Sequence, residues 1–96
     1  MVSGQRETPR RSRLLVVEKE CLEDLRWWVE SNRKTALRVF ALIEAIMRDP
    51  FDGIGKPEPL RHLGSNIWSR RITGEDRLVY HVTDERVNLL QARYHY

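Results

Sequence analysis

The sequence is poor in the residues that build disulfides and metal centres. It has one cysteine, Cys21, which excludes an intrachain disulfide and a cysteine-based metal cluster. Its three histidines lack the spacing of metal ligands, and no group of acidic residues lies near them. We therefore expect no metal and no cofactor, and we expect Cys21 to be a buried thiol.

Long apolar runs are also missing. No stretch approaches the roughly 20 apolar residues that span a bilayer, and the N-terminus lacks the apolar core of a signal peptide. The 96 residues, 41% hydrophobic and 32% charged, are typical of one small globular domain. These features favour a cytoplasmic protein with no membrane partner.

The net charge of +3 comes from the N-terminal segment. Four arginines and one glutamate within residues 1–13 account for all of it, so residues 14–96 carry equal numbers of basic and acidic groups. This segment is polar and aperiodic, which predicts a disordered basic leader over residues 1–13 and a single folded domain over residues 14–96. Binding of nucleic acid by the folded part must therefore depend on local clusters of arginine.

The folded part is predicted to begin with a strand and two helices. Residues 14–17 are apolar and partly β-branched, which favours a strand. Apolar residues then recur at helical spacing in two segments, and we expect Asn32 to cap the second helix and Pro50 to end it. The stripes that should face the core are Cys21, Leu22, Leu25, Trp28 and Val29, and then Ala36, Val39, Phe40, Ile43, Ile46 and Met47.

A loop and three strands complete the predicted domain. Residues 50–66 are rich in proline and glycine, which predicts a long loop, and such loops in small domains are usually functional. Strands are expected over residues 67–73, 77–83 and 87–93, and their short connections favour an antiparallel meander. The fold class is therefore α+β: an N-terminal strand and two antiparallel helices packed on one face of an antiparallel sheet.

Polar groups that could carry chemistry lie in the loop and in the last strands. Glu58 stands between two prolines, which restrict the backbone and lower the entropy of holding its carboxylate in place. Strand alternation places Arg77 on the solvent-side face, opposite the core residues predicted for the same strand, which are Leu78, Tyr80 and Val82. Alternation also gives Arg93 and His95 a common face, but it does not choose between Arg70 and Arg71.

A carboxylate, an arginine and a histidine together suit RNA strand cleavage without a metal. The reaction needs a base for the 2′-hydroxyl proton, a cation for the charged phosphorane and an acid for the leaving 5′-oxygen. Each residue taken singly has an ordinary explanation as an exposed side chain. A nucleophile elbow and a glycine-rich phosphate loop, which would indicate other reactions, are missing from the sequence.

Four separated motifs occur in order along the chain. They are DPFDGIGKPEPL over residues 49–60, WSRRI over 68–72, RLVY over 77–80 and the terminal RYHY over 93–96. These motifs closely resemble the YoeB branch of the RelE/ParE toxin superfamily, and the resemblance runs from about Leu14 to the last residue. It implies the toxin of a bacterial type II toxin–antitoxin pair, a ribosome-dependent endonuclease that cleaves mRNA in the A site and inhibits translation.

The resemblance also implies roles for individual residues. The general base of the family falls on Glu58 and the general acid on His95. The arginines that stabilise the phosphate fall on Arg71 and Arg77, and the terminal tyrosine of the site falls on Tyr96. The residues that we expect to make further RNA contacts are Lys56, Arg70 and Arg93.

The implied partners are a YefM-like antitoxin, the ribosome with its mRNA, and a second copy of the chain in a homodimer. Operator DNA would be bound only through the antitoxin. The sequence departs from the family pattern over residues 62–67 and at Gly74-Glu75-Asp76, where an acidic-acidic-His turn is more common. Two alternative functions stay open: a toxin that occupies its target without catalysis, as ParE-like relatives do, and a ribonuclease that acts without ribosomes.

Overall fold

A strand, two helices and four further strands follow one another along residues 12–95, which are the residues that this computed structural model describes. The elements are β1 (Leu14–Val17), α1 (Lys19–Ser31), α2 (Arg33–Arg48), β2 (Glu58–Pro59), β3 (Ile67–Arg71), β4 (Asp76–Val82) and β5 (Arg86–His95). The predicted leader, up to residue 11, and Tyr96 lie outside the described residues. Arg13 is described, and its Nε donates a hydrogen bond to the carbonyl oxygen of Thr83 at 2.8 Å.

The strands form one sheet in the order β1-β5-β4-β3-β2. The last three strands make the predicted antiparallel meander, and the α+β fold class is confirmed. The sheet is mixed, however, because β1 pairs with β5 in parallel, from Leu14 opposite Arg86 to Val17 opposite Leu89. Strand β1 thus forms the edge of the sheet next to β5, and β2 forms the opposite edge.

The helices and the sheet enclose one hydrophobic core. As predicted, Asn32 caps α2, and its side chain accepts a hydrogen bond from the Thr35 amide at 3.1 Å. Trp28 is a core residue, and its indole nitrogen donates to the Ala92 carbonyl oxygen at 2.7 Å. This bond ties α1 to β5, the strand that ends in His95.

The prediction that Phe40 belongs to the core is wrong. Its side chain is 45% exposed, and Leu42 and Ala45 are buried in the same helix instead. The buried stripe follows Val39, Leu42 and Ile46, and Phe40 lies about 100° around the helix axis from Val39. Leu22 and Val29 lie at the equivalent margin of α1 and are also exposed.

Cys21 is fully buried in α1, as predicted. Burial, together with the nearby carboxylates of Asp24 and Glu20, raises the pKa of its thiol to about 12. A thiolate is the reactive form of cysteine, and this one is strongly disfavoured near neutral pH. Cys21 therefore belongs to the core rather than to a site. Within residues 12–95, neither helix is long and apolar enough to cross a membrane.

Candidate active site

Glu58 is positioned by a short strand within the segment that we predicted to be a loop. Strand β2 pairs antiparallel with β3, with Glu58 opposite Ser69. The pairing with β3 continues beyond both ends of the strand, because the Leu60 amide donates to the Ile67 carbonyl at 2.8 Å and the Arg71 amide donates to the Gly55 carbonyl at 2.7 Å. Glu58 is therefore fixed to the sheet edge by backbone hydrogen bonds as well as by its flanking prolines.

The segment that leads to Glu58 requires glycine at one close approach. Gly55 has a φ of +84°, and a Cβ added there would lie 2.7 Å from a methyl carbon of Leu42 in α2. Glycine is favoured on both grounds, since it adopts positive φ and leaves room for the helix. The turn therefore passes directly over α2 before the chain enters β2.

Arg70 anchors the segment that leads to Glu58 through hydrogen bonds to its backbone. Its guanidinium nitrogens donate to the carbonyl oxygens of Asp49 at 2.6 Å, Asp52 at 3.0 Å and Ile54 at 3.0 Å. Its Nε donates to the Tyr80 hydroxyl at 3.1 Å. Burial raises the pKa of the Tyr80 phenol, which keeps its proton and donates to the Pro50 carbonyl at 2.7 Å.

These contacts correct our expectation that Arg70 binds RNA. The side chain is fully buried, and its donors are directed at protein acceptors. Arg71, the next residue, is exposed at the end of β3. Arg38 of α2 holds that strand end by donating to the carbonyl oxygens of Arg71 at 3.0 Å and Ile72 at 3.1 Å.

The strand register gathers the polar residues on the sheet face opposite the helices. Side chains directly opposite in a ladder project to the same face. Glu58 pairs with Ser69, Arg71 pairs with Arg77, and Arg77 pairs with Tyr94 on the next strand. Because Ser69 and Arg71 are two residues apart on β3, all five side chains share one face.

Arg77 lies at the centre of this face. Its Nη1 is 3.7 Å from the Glu58 carboxylate and 3.5 Å from the Ser69 hydroxyl. The predicted face is correct, but the residue is only 8% exposed and Ser69 is fully buried, so Arg77 does not project into solvent. A buried guanidinium is weakly screened by water, which strengthens its attraction for an anion.

His95 is positioned by Asp76. Asp76 and His95 are direct partners at the end of the β4–β5 ladder, and His95 Nε2 lies 2.7 Å from the Asp76 carboxylate. The other carboxylate oxygen of Asp76 accepts a hydrogen bond from the Thr73 hydroxyl at 2.9 Å. The imidazole itself is largely exposed, with 63% of the side chain accessible.

An open cleft brings Arg77 and His95 together. It has a volume of about 430 Å³ and is lined by Gly74, Glu75, Arg77 and His95. Arg77 thus contacts the Glu58 carboxylate on one side and borders the cleft that contains the imidazole on the other. The cleft presents a cation and an ionisable ring to whatever enters it.

The other two residues that we predicted to contact RNA, Lys56 and Arg93, lie in different parts of the structure. Lys56 is exposed on the segment before β2 and has a positive φ of 52°. Arg93 stacks on α1, its guanidinium carbon 3.6 Å from the centre of the Trp27 ring. That cation–π contact directs Arg93 towards the helix rather than towards the Glu58–Arg77 pair.

Four residues of this region were not predicted to be site residues: Ser69, Asp76, His62 and Tyr94. His62 and Tyr94 meet at 3.1 Å between the imidazole Nε2 and the phenol oxygen. Asp76 directly precedes Arg77 in the sequence, but its pairing with His95 depends on irregularities in the β4–β5 register between Arg77 and Tyr80. Across residues 12–95, no three His, Cys, Asp or Glu side chains are grouped so as to hold a metal ion.

The chain has a small α+β fold with a polar sheet face, and comparisons with known proteins identify its family. The family model of YoeB-like toxins of bacterial type II toxin–antitoxin systems matches residues 17–96. Toxin YoeB of Mycobacterium bovis is 53% identical over 79 residues, covering 82% of this chain and 93% of that toxin. The chain therefore belongs to the YoeB-like toxin family, and it is the toxin of a type II toxin–antitoxin system.

Solved structures from Staphylococcus aureus show the same fold. The YoeB dimer is matched with a TM-score of 0.81 and 31% identity, covering 88% of this chain and 99% of that one. A heterotetrameric YoeB–YefM toxin–antitoxin complex is matched with a TM-score of 0.75 and 34% identity, with coverage of 88% and 99%. These two structures describe assemblies of the S. aureus proteins.

Proposed function

We propose that this toxin is a ribosome-dependent endonuclease that cleaves mRNA in the A site without a catalytic metal ion. The observation that carries the proposal is the position of Arg77. Its guanidinium lies 3.7 Å from the Glu58 carboxylate and also lines the cleft that contains His95. The proposed cation, Arg77, thus lies between the proposed base and the cleft that contains the proposed acid.

In the proposed reaction, Glu58 removes the proton from a ribose 2′-hydroxyl and the 2′-oxygen attacks the adjacent phosphorus. Arg77, with the exposed Arg71 beside it, binds the phosphate oxygens as negative charge develops on them. His95 gives a proton to the 5′-oxygen as its bond to phosphorus breaks. The products are a 2′,3′-cyclic phosphate and a 5′-hydroxyl.

Two further residues are proposed to contact RNA. Tyr96 follows His95 directly, and we propose that its ring stacks on a base or orients the phosphate. Lys56 is exposed two residues before Glu58, where an ammonium group can contact a backbone phosphate.

The proposed partners are a YefM-like antitoxin, a second copy of the chain and the ribosome with its mRNA. The S. aureus toxin–antitoxin complex and the S. aureus dimer support the first two. The need for the ribosome is supported by charge, because residues 14–96 balance to zero and offer little attraction for free RNA. Contact with operator DNA is proposed only through the antitoxin.

The proposal is tested by giving the purified protein one defined mRNA, either free or bound in ribosomes with a known codon in the A site. We expect cleavage only with ribosomes, at the A-site codon, and an upstream fragment that resists phosphatase until its cyclic phosphate is opened. Equal cleavage of free mRNA would indicate a general ribonuclease instead. Arrest of translation with intact mRNA would indicate a toxin that acts by occupying its target.

A further inference from the structure

The Asp76–His95 contact fixes which nitrogen of the imidazole is available for chemistry. His95 Nε2 lies 2.7 Å from one oxygen of the Asp76 carboxylate. A carboxylate only accepts hydrogen bonds, so the nitrogen that faces it carries the hydrogen. In the neutral ring the hydrogen is then on Nε2, and Nδ1 holds the free electron pair.

The carboxylate of Asp76 is held in place by its own hydrogen bonds. Its side chain is 14% exposed, and its second carboxylate oxygen accepts a hydrogen bond from the Thr73 hydroxyl at 2.9 Å. The Thr73 hydroxyl in turn accepts from the Asp76 amide at 2.9 Å, and the Asp76 carbonyl accepts from the amides of Ile72 and Thr73. The carboxylate is thus fixed by its own turn, whereas the imidazole it contacts is 63% exposed and lies at the end of a strand.

We propose that Asp76 is a positioning residue that holds His95 with Nε2–H towards the protein, so that Nδ1 is the atom that transfers the proton. This rests on the proposed function of the site. The protonated ring donates the Nδ1 proton to the 5′-oxygen as the bond from phosphorus to that oxygen breaks, while Glu58 takes the 2′-hydroxyl proton. The neutral ring that remains keeps its hydrogen on Nε2 against Asp76, and exchange with water restores both groups.

The first test compares Asp76→Asn with the unmodified protein in the ribosome assay. An amide can present either its oxygen or its N–H₂ to the ring, so the orientation of the imidazole is no longer fixed. We expect kcat to fall about 10- to 100-fold with KM little changed, a smaller loss than the ~10⁴-fold of a buried carboxylate–imidazole pair. Asp84→Asn is the matched control, because Asp84 is an acidic residue in the next hairpin turn, and it should cleave at the normal rate.

A second measurement determines the tautomer of the His95 imidazole directly. Two-bond ¹H–¹⁵N correlation spectra of neutral His95 should show the Nε2–H tautomer in the unmodified protein and a mixture of tautomers in Asp76→Asn. A merely structural role for Asp76 would leave the tautomer of His95 unchanged. If the unmodified protein shows the Nδ1–H tautomer, the inference is overturned, whether or not the protein cleaves mRNA.

Methylated histidines at position 95 separate the two nitrogens. Methylation of Nδ1 should reduce cleavage as far as His95→Ala does, whereas methylation of Nε2 should match the smaller loss of Asp76→Asn. The opposite order would contradict the inference while leaving the acid role of His95 intact. Failure of the unmodified protein to cleave mRNA would instead reject the proposed function, and the tautomer measurement would still decide the role of Asp76.

Discussion

Replacement of Glu58 by glutamine should lower the rate of ribosome-dependent mRNA cleavage by about 10²–10⁴-fold. The amide has the shape of the carboxylate but does not accept the 2′-hydroxyl proton, so the substitution removes the base and keeps the packing. The variant should remain folded, because Glu58 is 39% exposed and β2 is held by its backbone hydrogen bonds. The measurement is single-turnover cleavage at saturating toxin, which reports the chemical step.

Glu44→Gln provides the control for Glu58→Gln. Glu44 is an exposed glutamate on α2, outside the polar face, and the same change of charge there should leave cleavage unaltered. A Glu58→Gln variant that cleaves at the normal rate would remove Glu58 from the mechanism. Equal losses in both variants would point to a general effect of the change in charge rather than to the loss of a base.

Replacement of Arg70 by methionine should lower the free energy of unfolding by about 3–5 kcal/mol. The change leaves the Asp49, Asp52 and Ile54 carbonyls and the Tyr80 hydroxyl without the guanidinium that bonds them. Urea denaturation followed by circular dichroism measures the effect. A variant too unstable to purify would show a loss at least this large, and a stability within about 1 kcal/mol of the original would contradict the structural role.

The neighbouring arginine supplies a matched comparison. Arg71→Met changes the same side chain one residue away, but Arg71 is exposed, so its free energy of unfolding should change by no more than about 0.5 kcal/mol. Its cleavage rate should fall, because Arg71 is proposed to bind the phosphate. The two adjacent arginines should thus give opposite results: one mainly affects stability and the other mainly affects activity.

Periodicity predicted most of the fold because it depends on which face of each element is buried. The buried Trp28 and the core positions Leu78, Tyr80 and Val82 follow from spacing along the chain, while residue type predicted the strand at Leu14 and the cap at Asn32. Phe40 was misassigned because a stripe at helical spacing has margins, and only the packed structure decides which marginal residue is covered.

What the sequence did not predict depends on pairing between distant segments. The parallel pairing of β1, the two-residue strand β2 and the register irregularities between β4 and β5 are tertiary contacts. Alternation alone placed Arg70 and Arg71 on opposite faces but did not say which face was the site. The Asp76–His95 contact has the same origin, since it exists only where the ends of β4 and β5 meet.

Strand alternation did not choose between Arg70 and Arg71, and the resemblance to the YoeB branch made that choice. It favoured Arg71 over Arg70, and the structure leaves Arg71 exposed beside Arg77 while Arg70 holds the segment before β2. It did not indicate Asp76, because this turn departs from the family pattern.

The most direct measurement changes the substrate rather than the protein. An mRNA with a single 2′-deoxynucleotide at the cleaved position, bound in the ribosomal A site, lacks the hydroxyl that Glu58 is proposed to deprotonate. It should bind the toxin–ribosome complex as well as the all-ribose mRNA and remain uncut at that position. Cleavage of the deoxy-substituted mRNA at a comparable rate would contradict attack by the 2′-oxygen, and with it the roles of Glu58, Arg77 and His95.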